Sequence, residues 1–442
     1  MTRAGGNPAR QFIAAAVALL AASAFAQQVS PGVLRGHVSF LASDALEGRL
    51  TPSRGGDLAA EYIASQFRSI GLEEPAPGYF QRTSWLIEFT AAGETLRLRP
   101  DQIAGEIPSD TLAIGRRTII ATAEEFPKYK EKPPRSLFVV GDHPIPGAVV
   151  IRSPELLLLR KKGPVSATFV PQGLKNVVGL LRGTSDEYVI VSAHYDHLGA
   201  RPSAEGVRVF NGANDDASGV AGLLETARVL AARRQKPLRS MVFLAFFGEE
   251  EGLVGSRYYA REPVFPIANT VAQLNLEQLG RTDDSEGARI RAINLTGFPY
   301  SNIPQILASL TPRTGVRVED PGKNGEAYFT RSDNEGLAEL GIPAHTVSVA
   351  YEFPDYHEVT DDWEKLDYLN LAAVTRLVAE GVWALANREQ RPRWNEDNPT
   401  ARKFAAAGTA TRRAKSPAVS DRVSGSSPAI RRPPPRKQSQ SR

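Results

Sequence analysis

The run YVIVSAHYDHLG at residues 188–199 decides how this chain is read. Tyr188 to Ser192 is a continuous apolar strand, as expected where both faces of a sheet are covered. It stops at a polar heptad, Ala193 to Gly199, which holds two of the chain's six histidines, His194 and His197. Outward from it, Ser240 to Phe247 is a second buried strand, and Val271 to Leu276, Ile290 to Leu295 and His345 to Ala350 are further strands. Helical patterns fall between and after them, over Asp216–Arg234, Leu253–Arg261, Ile303–Leu310 and Leu369–Ala386. The first carries Val220, Leu223, Leu224, Ala227, Val229 and Leu230 at helical spacing. Apolar strands alternating with helices define an α/β domain, a three-layer sandwich with a largely parallel mixed sheet flanked by helices.

The α/β pattern occupies residues 171–390. Residues 27–83 read as its helical lead-in, with two helices between Gly36 and Leu72; Gly55–Gly71 is the clearer, closed by Gly71. Over 84–170 short β-like runs, such as Thr118-Ile119-Ile120 and Leu137 to Val140, are broken by Pro and Gly. This reads as a small β-rich insert or subdomain. From 391 to 442 Pro, Ser, Arg and Gln dominate, and a basic disordered tail is expected. At the other end Arg3 and Arg10 precede an apolar Phe12–Phe25 run and the small-x-small site Ala24-Phe25-Ala26. Residues 1–26 read as a signal peptide, with a mature start near Gln27 and export to the periplasm or beyond the cell. The apolar run is shorter than the roughly 20 residues that span a bilayer. No later stretch reads as a transmembrane segment.

The net charge of +4 is unevenly spread. Eleven Lys or Arg against Asp421 give residues 401–442 a charge of +10, leaving −6 for everything before them. The basic tail can contact an anionic surface, whereas the mildly acidic body gives no reason to expect a nucleic-acid partner. The absence of cysteine excludes disulfides, thiolate nucleophiles and thiolate zinc ligands, so any metal must be held by His and carboxylates.

Polar clusters fall where strands end, which is where ligands sit in an open α/β sheet. His194 follows the first strand as a natural metal ligand, with Asp196 placed to fix its tautomer. Asn211 to Gly219 opens the long helix with Asp215 and Asp216; acids there also suit ordinary capping. Glu249, Glu250 and Glu251 follow the Ser240–Phe247 strand, and successive acids at a core edge repel one another unless a cation is present. Glu277 ends another strand, and His357 lies in Asp355-Tyr356-His357-Glu358 after the His345 strand. Together, two His and several carboxylates suit a hydrolytic zinc site with open coordination. Two metals about 3.5–4 Å apart, bridged by a carboxylate, can polarise a carbonyl.

These clusters, in this order over Asn176 to Ala386, resemble the co-catalytic zinc exopeptidases, which include bacterial leucyl aminopeptidases and glutamate carboxypeptidases. A weaker likeness extends upstream to His37–Asp44 and Leu46-Glu47-Gly48-Arg49. The resemblance implies two Zn2+ per chain, with Asp215 bridging, Glu250 and His357 completing one metal, and His194 and Glu277 the other. It implies Glu249 as general base and Asp196 as the residue orienting His194. It also implies peptide or protein substrates. The chain departs from the family where Glu277 replaces a more usual Asp, and where Asn334 stands for a frequent His at an expected pocket position. His345 is unusual and reads as a packed strand residue. Within the same resemblance, an aminopeptidase is the leading expectation. A carboxypeptidase-like enzyme using Arg331, a single-zinc glutaminyl cyclase and a metal-free binding ectodomain like the transferrin receptor are alternatives.

Overall fold

Eight strands build the central sheet, in spatial order β1-β2-β4-β3-β5-β8-β6-β7. They are β1 (Phe80–Arg82), β2 (Lys175–Leu181), β3 (Tyr188–His194), β4 (Ser240–Phe246), β5 (Thr270–Leu276), β6 (Ala292–Leu295), β7 (Arg317–Glu319) and β8 (Ala344–Ser348). The computed structural model describes residues 28–83, 87–98, 103–104, 117–130, 137–143, 145, 148–169, 173–204 and 206–413. The expected signal peptide lies outside the described residues.

The four central strands β4, β3, β5 and β8 are parallel, so their carboxyl ends share one edge. β2 runs antiparallel to β4, and β6 antiparallel to β8, which makes the sheet mixed. Alternate residues serve opposite layers. Val189, Val191, Met241 and Phe243 face one core, while Ile190, Val242, Leu244 and Phe246 face the other. Helices α1 (Pro31–Leu41), α2 (Arg54–Ile70), α3 (Gly219–Ala231) and α5 (Tyr368–Asn387) cover the first face. Helices α4 (Val254–Arg261) and α6 (Pro399–Arg413) lie on the second, where Tyr259 and Phe404 are buried. Gly71 closes α2 in the left-handed conformation, φ +84, as its position at the end of the apolar pattern requires.

Between β1 and β2 the chain builds a separate seven-stranded sheet from strands within Ile87–Phe169. It has its own apolar clusters around Phe89, Phe138 and Ile151, and around Val139 and Val150. β1 and β2 pair with each other, so the excursion leaves and rejoins the main sheet at one edge.

Three features differ from the sequence reading. The long helix begins at Gly219 rather than Asp216, because Ala213–Ser218 forms a wider turn. Residues 391–413, expected to be disordered, fold: Trp394 and Phe404 are buried, and Asn398 accepts hydrogen bonds from the Thr400 and Ala401 N–H groups at the start of α6. The remainder of the expected tail lies outside the described residues. Helix α5, with 20 residues, is long and apolar enough to cross a membrane. It packs as a core helix against α3, and most of its apolar window is buried.

His345 on β8 is a packed residue, fully buried, with Nδ1 2.7 Å from the Thr296 carbonyl and Nε2 2.6 Å from Ser301 Oγ. Burial pushes its imidazole down to about 4. The unfolded chain therefore binds a proton between about pH 6.5 and pH 4 that the folded protein refuses. Stability from this group is complete above pH 6.5 and is lost as pH falls through that window. Urea unfolding at pH 7 and pH 4 should show the wild type losing about 3 kcal/mol more than His345→Gln.

Candidate metal centre

The centre forms where the carboxyl ends of β3, β4, β5 and the loop after β8 meet. His194 is the last residue of β3, Glu249 and Glu250 follow β4, Glu277 follows β5, and His357 lies in the loop beyond β8. The turn before α3 brings Asp215 among them.

Asp215 is the hub. Its Oδ1 lies 3.3 Å from His194 Nε2 and its Oδ2 lies 3.2 Å from His357 Nε2. His357 Nε2 also lies 3.3 Å from Glu250 Oε2. Two triads of donor atoms, each within 4.8 Å of one another, share Asp215: His194, Asp215, Glu277 and His197, Asp215, Glu250. All five residues expected as ligands are thus gathered in one place. His197, read only as part of the heptad, joins them, its Nδ1 2.8 Å from Glu250 Oε1. The signal for it was the second histidine of that heptad.

The donor set fits a cation. His194 Nε2 faces Asp215 and His197 Nδ1 faces Glu250, so imidazole nitrogens and carboxylate oxygens converge in pairs, and His197 Nε2 is buried without a hydrogen-bond partner. Imidazoles and carboxylates without sulfur suit zinc.

Other acids tether the site. Asp196 accepts from the Glu249 N–H at 3.1 Å and the Glu250 N–H at 3.4 Å, tying the β3 loop to the β4 loop. His194 Nδ1 lies 3.3 Å from the Asp196 carbonyl oxygen and 3.7 Å from its carboxylate. Asp196 therefore orients His194 mainly through its main chain. Asp216 accepts from the Gly219 and Gln278 N–H groups. Asp361 accepts from those of Asn214 and Asp215. Ser332 donates its hydroxyl to Glu277 Oε2. Gly212, at φ +54, admits no side chain, since a Cβ would fall 2.1 Å from the Asp215 carbonyl oxygen. His357 and Gln278, next to Glu277, also adopt positive φ, +58 and +56, a backbone strain common at functional sites.

Electrostatics divide the acids. Burial works against an ionised Asp215, but His194 and His357 outweigh it and hold the carboxyl below its ordinary range. Burial likewise opposes Glu250, yet His197 and His357 keep it low. Burial pushes Glu249 well above the carboxylate range, reinforced by Glu277 and Glu250. It pushes Glu277 up to about 7, with Asp215 adding to the shift. Burial would lower His357, but Asp215 and Glu250 raise it to about 10.

Arg49 underlies these loops, and its role was not visible in the sequence. It is 1% exposed and donates to the carbonyls of Tyr195, Leu41, Asn211 and Gly212 at 2.5–2.9 Å. It is thereby bonded to both the His194–His197 and the Asn211–Asp215 segments. Asn334 does not line the neighbouring cavity, contrary to expectation. Its amide bonds the Phe329 carbonyl and the Thr346 hydroxyl, while Arg331 and Ser332 line the cavity instead.

This sheet edge and donor set define an α/β domain with a candidate two-metal centre. Residues 176–382 match the sequence profile of peptidase family M28. A probable zinc metalloprotease of Pyrenophora tritici-repentis is 37% identical over 263 residues, covering 50% of this chain and 59% of the relative. One from Pyricularia oryzae is 37% identical over 221 residues, covering 47% and 40%. The chain spans about half the length of the curated relatives it matches. The fold is similar to a zinc aminopeptidase from Bacillus subtilis, with TM-score 0.52 and 18% identity over 82% of this chain and 96% of that one. It is also similar to an aminopeptidase from Aneurinibacillus sp. strain AM-1, with TM-score 0.50 and 23% identity over 84% and 96%.

Arg49→Met leaves four carbonyls without their donor and removes the buried cation facing Asp196, Asp215 and Asp216. Urea unfolding should show a loss of about 3–5 kcal/mol. Arg49→Lys should recover only part of it, because an ammonium cannot reproduce the planar fork.

Proposed function

We propose that the protein is an exported zinc metallopeptidase that hydrolyses terminal peptide bonds, acting as an aminopeptidase with two Zn2+ per chain. The observation that carries this reading is Asp215, which turns one carboxylate oxygen to His194 and the other to His357. His194, Asp215 and Glu277 would hold one ion, and Asp215, Glu250 and His357 the other. His197, fully buried against Glu250, positions that carboxylate. Bound zinc supplies Lewis-acid polarisation of the scissile carbonyl and lowers the pKa of water.

The remaining chemistry belongs to side chains. Glu249 follows β4 beside the donors, has no imidazole partner of its own, and is the acid left free to act as general base. It takes the proton of the attacking water and delivers it to the departing amine. Asp196 fixes where Glu249 stands by accepting its backbone N–H. Glu277 and Glu352 line the adjacent cavity, and carboxylates there suit a substrate's free ammonium group. The aminopeptidases of similar fold support the same reading. Arg331 also lines this cavity, which favours a carboxypeptidase-like enzyme as the second reading, with the guanidinium holding a terminal carboxylate. Export rests on the amino-terminal sequence pattern.

Elemental analysis of zinc-restored mature protein should give close to two zinc per chain. Peptides with a free amino terminus should be cleaved and their N-acetylated forms spared; the reverse preference would favour the carboxypeptidase reading. Glu249→Gln should retain both ions and lose roughly 10²–10⁴ in kcat. Full activity in that variant would remove Glu249 from the mechanism.

A further inference from the structure

The cavity that opens beside Glu277 has a volume of about 300 Å3, room for one amino-acid side chain. Tyr356 in its wall stacks on His357 with ring centroids 3.9 Å apart, so the cavity is continuous with the metal centre. Two acids line it, and both are engaged. Glu277 belongs to the metal centre and accepts from the Ser332 hydroxyl. Glu352 accepts from the Tyr328 hydroxyl at 2.5 Å and from that of Ser285 at 3.2 Å, and feels Arg331 only at longer range. Arg331 lines the same cavity, is exposed, and among the described residues has no carboxylate within ion-pair distance. Other arginines of the surrounding loops do: Arg281 pairs with Asp283 and Asp355, Arg289 with Glu286 and Glu319, and Arg257 with Glu335. The Arg331 guanidinium lies over the Tyr328 ring, its carbon 4.8 Å from the centroid, and the Tyr351 ring stacks with that of Tyr328 at 5.2 Å. Stacking engages the face of a guanidinium and leaves the N–H groups at its edge for a planar anion. The cavity thus presents one reachable cation whose charge no acid of the chain neutralises at close range.

We propose that this cavity is the side-chain subsite of the enzyme and that Arg331 makes it select an acidic side chain, so that amino-terminal glutamate is the residue removed. The side-chain carboxylate bonds the Arg331 guanidinium, while its methylenes lie against the tyrosine rings. The proposal rests on the aminopeptidase reading above and specifies what that site accepts. It differs from the carboxypeptidase reading in what the guanidinium holds, a side chain rather than the end of a peptide.

The test measures dissociation constants by titration calorimetry on the zinc-loaded protein. The probes are the α-hydroxamates of L-glutamate, L-glutamine and L-methionine, whose side chains are nearly equal in length. All three keep a free amine, and the only carboxylate among them is that of the glutamate side chain. Glutamate hydroxamate should bind about tenfold tighter than glutamine hydroxamate, and tighter than methionine hydroxamate. In Arg331→Met the preference for glutamate over glutamine should fall toward about one. Arg331→Lys should restore part of it, since an ammonium keeps the charge without the planar fork. Glutamine or methionine binding as tightly as glutamate, or a preference unchanged in Arg331→Met, overturns the acidic subsite while leaving the peptidase reading intact. Failure of all three probes to bind protein that carries zinc overturns the peptidase reading, and the subsite with it.

Discussion

The crowding of carboxylates at the carboxyl edge of the sheet governs this structure. Asp196, Asp215, Asp216, Glu249, Glu250, Glu277, Asp333 and Asp361 come together where water is largely excluded, and like charges in such a place raise one another's pKa. The fold resolves this by sorting them. Asp196, Asp216 and Asp361 accept main-chain N–H groups and act as tethers between loops. Asp215 and Glu250 face imidazoles and stay ionised. Glu249 has neither kind of partner, and burial holds its carboxyl well above the usual range. Arg49 places a buried positive charge near Asp196, Asp216, Asp215 and Asp361 and binds the loops that carry the first three.

A second polar system runs through the sheet itself. Ser192 on β3 donates to Asn275 on β5, Gln273 donates to Ser192, and Asn275 donates to Ser332 and to Thr346 on β8. Every one of these side chains is buried. A sheet interior tolerates such groups only when they are paired, so the chain of bonds has to lead somewhere useful. It leads to Ser332, which donates to Glu277. Glutamate has one more methylene than aspartate and one more torsion to restrain. The Ser332 hydroxyl restrains it, which reconciles an unusual acid with an ordered site.

What the sequence disclosed follows from the same physics. Each apolar strand ran up to a polar residue, so His194, Glu250 and Glu277 could be placed at strand ends without coordinates. The α3 boundary was misplaced because Asp215 and Asp216 look like caps. In fact Asp216 bonds Gly219 and Gln278 across the site, and Asn214 Oδ1 accepts from Gly280 and Arg281. Composition hid α6, since Pro, Ser and Arg outnumber the two aromatic anchors, Trp394 and Phe404, that fold it. Arg49 depends on long-range packing: it bonds residues more than 140 positions away, a relation no local pattern encodes.

The segment after α5 also belongs to the site in a way its composition concealed. Phe329 is the centre of an aromatic cluster with Tyr300, His345, Trp394 and Phe404 at centroid distances of 4.9–6.3 Å. Trp394 stacks on Phe404 and donates its indole N–H to the Gly341 carbonyl. Phe329 is flanked in the chain by Tyr328, a wall of the cavity, and two residues on by Arg331 at its border. Its carbonyl accepts from Asn334, whose side chain in turn bonds Thr346 in the cavity lining. The packing of residues 394–404 therefore fixes the backbone that presents Tyr328, Arg331 and Ser332. Residues 394–404 are thus the outer support of the cavity, and within them Arg402 and Lys403 lie on a folded helix that commits Ala401 and Phe404 to the core.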